Sequence, residues 1–162
     1  MSTGNGVNGY TLDPSLGEFV LTHPNMRIRE RGNIYSINEG NSLHWQDATK
    51  EYIKSIKRPA DGTAPYSLRY VGSMVADVHR TILYGGVFLY PVDKKSTKGK
   101  LRVLYESIPM AYIIEMAGGR AITGEGNVLD IKAKSIHERC GIICGSVEDV
   151  NDCENIYNNY KK

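Results

Sequence analysis

No run of apolar residues in this chain approaches the ~20 needed to cross a bilayer, and the first six residues, Met-Ser-Thr-Gly-Asn-Gly, have neither an apolar stretch nor basic flanks. The expected location is cytoplasmic, with no membrane partner. Cysteine is scarce: Cys140, Cys144 and Cys153 form an odd set without a C-x-x-C pair, which suits a reducing compartment and reads as structural rather than as a disulfide framework. Charge of one sign is lacking too. Twenty Lys and Arg against eighteen Asp and Glu leave a formal +2, too little for a protein that holds nucleic acid through its backbone phosphates. Tryptophan and phenylalanine number one and two against eleven tyrosines, so most aromatic rings carry a hydroxyl that can pack and hydrogen-bond at once.

There is no internal repeat, low-complexity tract or charged tail, so residues 1–162 read as a single domain. A chain of this length buries roughly 70% of the surface its unfolded form exposes, and needs no metal or disulfide to staple it. Val7–Leu12 and Glu18–Thr22 read as strands around a turn set by Pro14 and Gly17, and Asn33–Ile37 as a third strand. Trp45, Ala48, Tyr52, Ile53 and Ile56 recur on one face of a helix, which Pro59 bounds, and a long exposed loop is expected over residues 57–65. Ser73 offers an N-cap to a helix over Met74–Tyr84, stopped by Gly85-Gly86. Strands are expected at Val87–Tyr90 and Leu101–Tyr105, a helix over Met110–Ala117 led in by Pro109, and strands at Ala121–Thr123, Val128–Ile131 and Gly141–Cys144. Ser146 with Asp149 resembles a capping box opening a last helix, Val147–Tyr157. Strands interleaved with helices predict a layered α/β domain, a mixed sheet flanked by helices.

A doubly charged phosphate ester needs cations to balance it, neutral donors to orient it and apolar walls beside it. The chain offers such a set. Arg69-Tyr70 precedes a helix start, Tyr90 ends a strand, and Lys100 leaves the basic turn Lys94–Lys100, at the strand ends and helix starts where α/β sheets collect ligands. The same residues also suit ordinary surface roles, since turn lysines are commonly solvated and strand-end tyrosines commonly half-packed. Glu106 likewise fits either a metal ligand or a structural carboxylate. Residue types alone leave both readings open. None of His23, His44, His79 or His137 forms a pair at metal-binding spacing, and none is assigned a catalytic role.

Longer strings decide between them. Tyr35–Asn41, Arg69–Thr81, Leu83–Gly86, Lys94–Ser96 and Gly99–Glu106 resemble class I fructose-1,6-bisphosphatase, and Leu12–Phe19 and Pro109–Gly119 continue the likeness in the same order. The resemblance runs from about Gly6 to the last helix and implies the carboxy-terminal, substrate-binding domain of that sugar phosphatase fold. It implies that Asn38, Tyr70, Tyr90 and Lys100 hold the 6-phosphate and neighbouring hydroxyls of fructose, that Arg69 reaches a neighbouring subunit's phosphate, and that Gly72, Ser73 and Met74 line the sugar. Asn41 departs from the tyrosine some members carry there. Glu106 is implied as a ligand to a divalent ion, Mg2+ with Mn2+ or Zn2+ as alternatives, near the 1-phosphate.

Hydrolysis of that ester draws on several divalent ions, and one glutamate cannot hold them. Asp13-Pro14-Ser15-Leu16-Gly17 begins like the family's metal stretch but places leucine where a second aspartate is needed. The resemblance therefore implies that the family's amino-terminal metal and AMP half lies outside these residues, and that this chain alone is inactive and not AMP-regulated. The implied activity is conversion of fructose 1,6-bisphosphate and water to fructose 6-phosphate and phosphate in gluconeogenesis, by a homo-oligomer that is a tetramer in the full-length family. Two alternatives stand beside it: a non-catalytic phosphosugar-binding or scaffold module, and a lithium-sensitive phosphatase relative acting on a seven-carbon sugar or inositol phosphate.

Overall fold

The computed structural model describes residues 1–60 and 62–160. Strands β1 (Val7–Asp13) and β2 (Glu18–Met26) pair antiparallel as a separate hairpin. Its turn closes as expected, with Gly17 N donating to Asp13 O and the Asp13 carboxylate accepting from Ser15 N at 2.9 Å. The main sheet is built from β3 (Ile34–Ser36), β4 (Ser67–Leu68), β5 (Val87–Tyr90), β7 (Arg120–Ile122) and β9 (Ile142–Gly145), in the order β4-β3-β5-β9-β7. β3 runs parallel to β4 and β5, whereas β9 is antiparallel to both its neighbours. A second small pair joins β6 (Leu101–Arg102) to β8 (Arg139–Cys140). The fold is thus α/β with a mixed sheet, as the alternation of elements predicts.

Helices cover both faces. α1 (Asp47–Lys57) and α4 (Val147–Asn159) lie on one, sharing a core with Tyr35, Leu89 and Ile143; α2 (Met74–Tyr84) and α3 (Ile108–Met116) lie on the other, around Phe88, Ile142 and Cys144. Burial on two faces explains why β5 reads as an unbroken apolar run: Val87 and Leu89 serve the first core and Phe88 the second, each at most 1% exposed. Gly86 is what lets β5 lie against β3. Its φ is +97°, and a Cβ there would collide with the Ile34 carbonyl.

The departures from the sequence pattern have physical causes. Leu101–Tyr105 alternates like a strand, yet β6 ends at Arg102 with one further bond from Val103 N to Glu138 O at 2.9 Å, and Val103–Ser107 coils into a π-type turn that runs directly into α3. The Glu106 carboxylate accepts from Arg102 N at 2.7 Å and draws the chain back on itself, leaving Leu104 and Tyr105 exposed. Val128–Asp130 is a 3-10 turn rather than a strand, closed by Ile131 N donating to Val128 O and Asn127 Nδ2 donating to Asp130; buried Val128 packs on the second core instead of joining the sheet. The Ser146–Asp149 capping box does not form. Ser146 Oγ accepts from Gly86 N at 2.9 Å, and the Asp149 carboxylate accepts from Gly32 N and from the Tyr66 hydroxyl. Ser73 holds the N-cap position of α2 without a side-chain bond. Strands β4 and β8 and the 3-10 turn Glu39–His44 carried no signal strong enough to read. The exposed loop after α1 spans residues 58–66, with Asp61 outside the described residues.

All three thiols are buried, and burial raises each, Cys144 to about 12. A thiol reagent at pH 8 is expected to titrate none of them in the native chain and all three in denaturant. Leu89→Ala, which empties a fully buried site between β3 and β9, is expected to cost about 2–5 kcal/mol in urea unfolding.

Candidate functional site: a cradle at the ends of three parallel strands

Because β4, β3 and β5 are adjacent and parallel, their carboxyl ends share one edge of the sheet, the place where open α/β sheets bind ligands. Asn38 follows β3, Tyr70 follows β4 and Tyr90 is the last residue of β5. Tyr35 sits opposite both Leu68 and Val87, and Arg69 N donates to Tyr35 O at 2.9 Å, extending the ladder to the residue before Tyr70. Asn38 Oδ1 caps the following 3-10 turn by accepting from Gly40 N at 3.0 Å, which leaves its amide nitrogen as the end able to donate to a ligand. Asn38, Asn41 and Tyr90 line one cleft floored by Trp45 and Leu89. At about 20 Å3 the cleft holds a water-sized group and no sugar phosphate.

Lys100 is exposed, with Nζ 6.0 Å from the centre of the Tyr90 ring, at the outer reach of a cation–π contact. Tyr70 is half-buried. Burial first, then the nearby Tyr90 and Asp77, raise its phenol above the ordinary tyrosine value, so the hydroxyl stays protonated and able to donate at neutral pH. Asn38, Tyr70, Tyr90 and Lys100 are thus brought to one edge. Arg69 is exposed just past the outermost strand, its guanidinium folded back on Leu68 O at 2.7 Å. Ser73 is exposed at the start of α2, whereas Met74 packs against the second core.

Glu106 stands apart in the π-type turn, one oxygen already accepting from Arg102 N. Among the described residues no three His, Cys, Asp or Glu side chains gather as a metal-binding group. These residues do not by themselves fit a divalent-ion centre, and Glu106 has a structural task of its own.

The sequence reading missed Asp93. It is 7% exposed, and its Oδ1 accepts from Lys95 N at 2.8 Å and Ser96 N at 2.6 Å. Lys94 N donates to His44 O, and Asp93 bridges to Trp45. The basic turn is therefore fastened to the segment that follows Asn38. An Asp placed just before a polar turn is the sequence feature that marks such a fastening. Asp93→Ala is expected to cost roughly 1–2 kcal/mol in denaturant unfolding and to speed amide exchange at Lys95 and Ser96.

Comparison with known proteins places this arrangement. A family model described as the fructose-1-6-bisphosphatase C-terminal domain matches residues 28–158. Cytosolic fructose-1,6-bisphosphatases of Solanum tuberosum and Arabidopsis thaliana are 60% and 59% identical over 157 residues, covering 97% of this chain and 46% of theirs. The crystal structure of Leishmania major fructose-1,6-bisphosphatase in holo form superposes with a TM-score of 0.94 at 47% identity, over 97% of this chain and 52% of that one. This chain spans about half the length of the relatives it matches, and it belongs to the fructose-1,6-bisphosphatase family, matching its C-terminal domain.

Proposed function

We propose that this chain is the substrate-binding part of a cytosolic, metal-dependent fructose-1,6-bisphosphatase, and that it grips the 6-phosphate end of fructose 1,6-bisphosphate and of the product fructose 6-phosphate. The observation that carries the reading is the meeting of Asn38, Tyr70, Tyr90 and Lys100 at the ends of three parallel strands, in a chain 60% identical to an enzyme of that name. Residues 1–162 act as one substrate-binding domain. The cytosolic setting follows the names of the relatives.

The grip has a charge argument. A phosphate monoester carries nearly two negative charges at neutral pH, and Lys100 supplies one positive charge beside neutral phenol and amide donors. A second cation is needed for balance. Exposed Arg69, just past the edge strand, supplies it to the site of a neighbouring copy, which makes the functional unit a homo-oligomer. Ser73 and the backbone of Gly72, Ser73 and Met74 border the sugar. Glu106 contributes a single ligand to a divalent-ion centre for Mg2+, or Mn2+ or Zn2+, whose remaining ligands come from outside these residues. Such ions polarise the ester and lower the pKa of the attacking water; this chain's own part is to bind and orient the substrate.

A second reading, a phosphosugar-binding module without catalysis, is favoured by the lack of a metal-binding cluster among the described residues. Hydrolysis separates the two. The isolated chain is expected to turn over no fructose 1,6-bisphosphate with Mg2+; hydrolysis regained when the other half of a relative's chain is added supports the enzyme, and its absence supports the module. Calorimetry tests the cradle itself. Fructose 6-phosphate binding is expected to weaken at least about tenfold on Lys100→Ala, the loss of one charge-assisted contact. Unchanged affinity would sink the assignment.

A further inference from the structure

We propose that Asp77 and Arg80 are positioning residues of the phosphosugar site: together they hold the segment Arg69–Ser73 in the conformation that presents Arg69 and Tyr70. The inference rests on the reading above and assigns to this pair a role that the cradle residues do not explain.

Residues 69–73 connect β4 to α2 and have little else to hold them. Val71, Gly72 and Ser73 are exposed, and Gly72 is left-handed with φ +84°. Ser73, at the N-cap, makes no side-chain bond to the helix. The residues before the cap are held instead by a carboxylate from inside the helix. Asp77, fully buried in the first turn of α2, reaches back to accept from Val71 N at 3.0 Å and from Gly72 N at 3.1 Å. A buried charge demands a partner, and Arg80 provides one, with Nη2 donating to Asp77 Oδ1 at 2.6 Å.

The same Nη2 also donates to Arg69 O at 2.9 Å. Arg69 is therefore held from both sides, its N–H by Tyr35 O on β3 and its carbonyl by Arg80. Arg80 Nε is buried with no hydrogen-bond partner, so the guanidinium is oriented by its contacts to Asp77 and Arg69 rather than by satisfying all its donors. A lysine side chain ends one atom short of the position of Nη2, so from the same backbone site its ammonium does not reach both acceptors. Neither Asp77 nor Arg80 is among the residues placed against the phosphate. Both act through the loop that carries Arg69 and Tyr70.

The test uses the whole chain, with calorimetric titration by fructose 6-phosphate and amide exchange read by NMR. Arg80→Lys and Asp77→Asn are each expected to weaken binding about tenfold, the size of one charge-assisted contact, and to speed exchange at Val71 and Gly72 while β5 and β9 amides keep their rates. The double variant is expected to bind no more weakly than Asp77→Asn alone, because the two act as a unit. Should Asp77→Asn not fold, Arg80→Lys carries the test on affinity and exchange. A folded Arg80→Lys with native affinity and native exchange at Val71 and Gly72 overturns the proposal, as does a double variant showing the product of the two single losses. If the unaltered chain takes up no fructose 6-phosphate, the phosphosugar reading fails by itself. Exchange then decides the role of the pair: faster exchange at Val71 and Gly72 in Arg80→Lys upholds it, and unchanged exchange refutes it.

Discussion

The structure depends on the close parallel seating of β3 between β4 and β5. Only because these strands point the same way do residues separated by dozens of positions in the chain, Asn38, Tyr70 and Tyr90, arrive at a single edge. That seating rests in turn on Gly86, whose missing Cβ admits the Ile34 carbonyl, and on a central strand whose side chains are buried on both faces. A side chain at position 86 would force β5 away from β3, and the edge that gathers the cradle would open.

Around that sheet one device recurs. Three buried aspartates each accept backbone N–H groups from a loop: Asp77 from Val71 and Gly72, Asp93 from Lys95 and Ser96, Asp149 from Gly32. Each buried carboxylate costs desolvation, which for Asp149 pushes its pKa up against the pull of the Tyr66 hydroxyl, the Gly32 N–H and Arg31. The return is geometric, since a carboxylate with two oxygens can fix two donors of an irregular segment where no ladder reaches. Two of the three loops held this way flank the cradle, so the polar interior serves the site as much as the fold.

The site is open rather than enclosed, and its chemistry follows. The cleft beside Tyr90 admits little more than water, and the polar groups gathered near it, one ammonium, two phenols and an amide, are spread along an edge rather than enclosed. Glu106 shows the opposite case. Its sequence position suits a metal ligand, yet within this chain it shapes the turn into α3 by taking the Arg102 N–H, and no companion carboxylates gather around it among the described residues. A carboxylate can serve both ends with its two oxygens, one to the backbone and one to an ion.

By itself the sequence determined the α/β class, four of the helices and most strands, because apolar periodicity and Gly or Pro punctuation act locally and survive in any context. Val87–Tyr90 and Met74–Tyr84 were legible to the residue on those grounds, and the strings from Tyr35 to Glu106 were specific enough to name the family. Tertiary structure alone decided the rest. Leu101–Tyr105 and Val128–Ile131 alternate or cluster like strands, but a strand continues only where a neighbour keeps offering unpaired N–H and C=O groups, and the β6–β8 pairing ends one bond past Arg102, at Val103 N to Glu138 O. Likewise Ser146 and Asp149 were spaced to cap their own helix, and were instead claimed by Gly86 and Gly32 from distant segments. Which partner a polar side chain takes depends on what the fold brings within about 3 Å, and spacing along the chain does not carry that information.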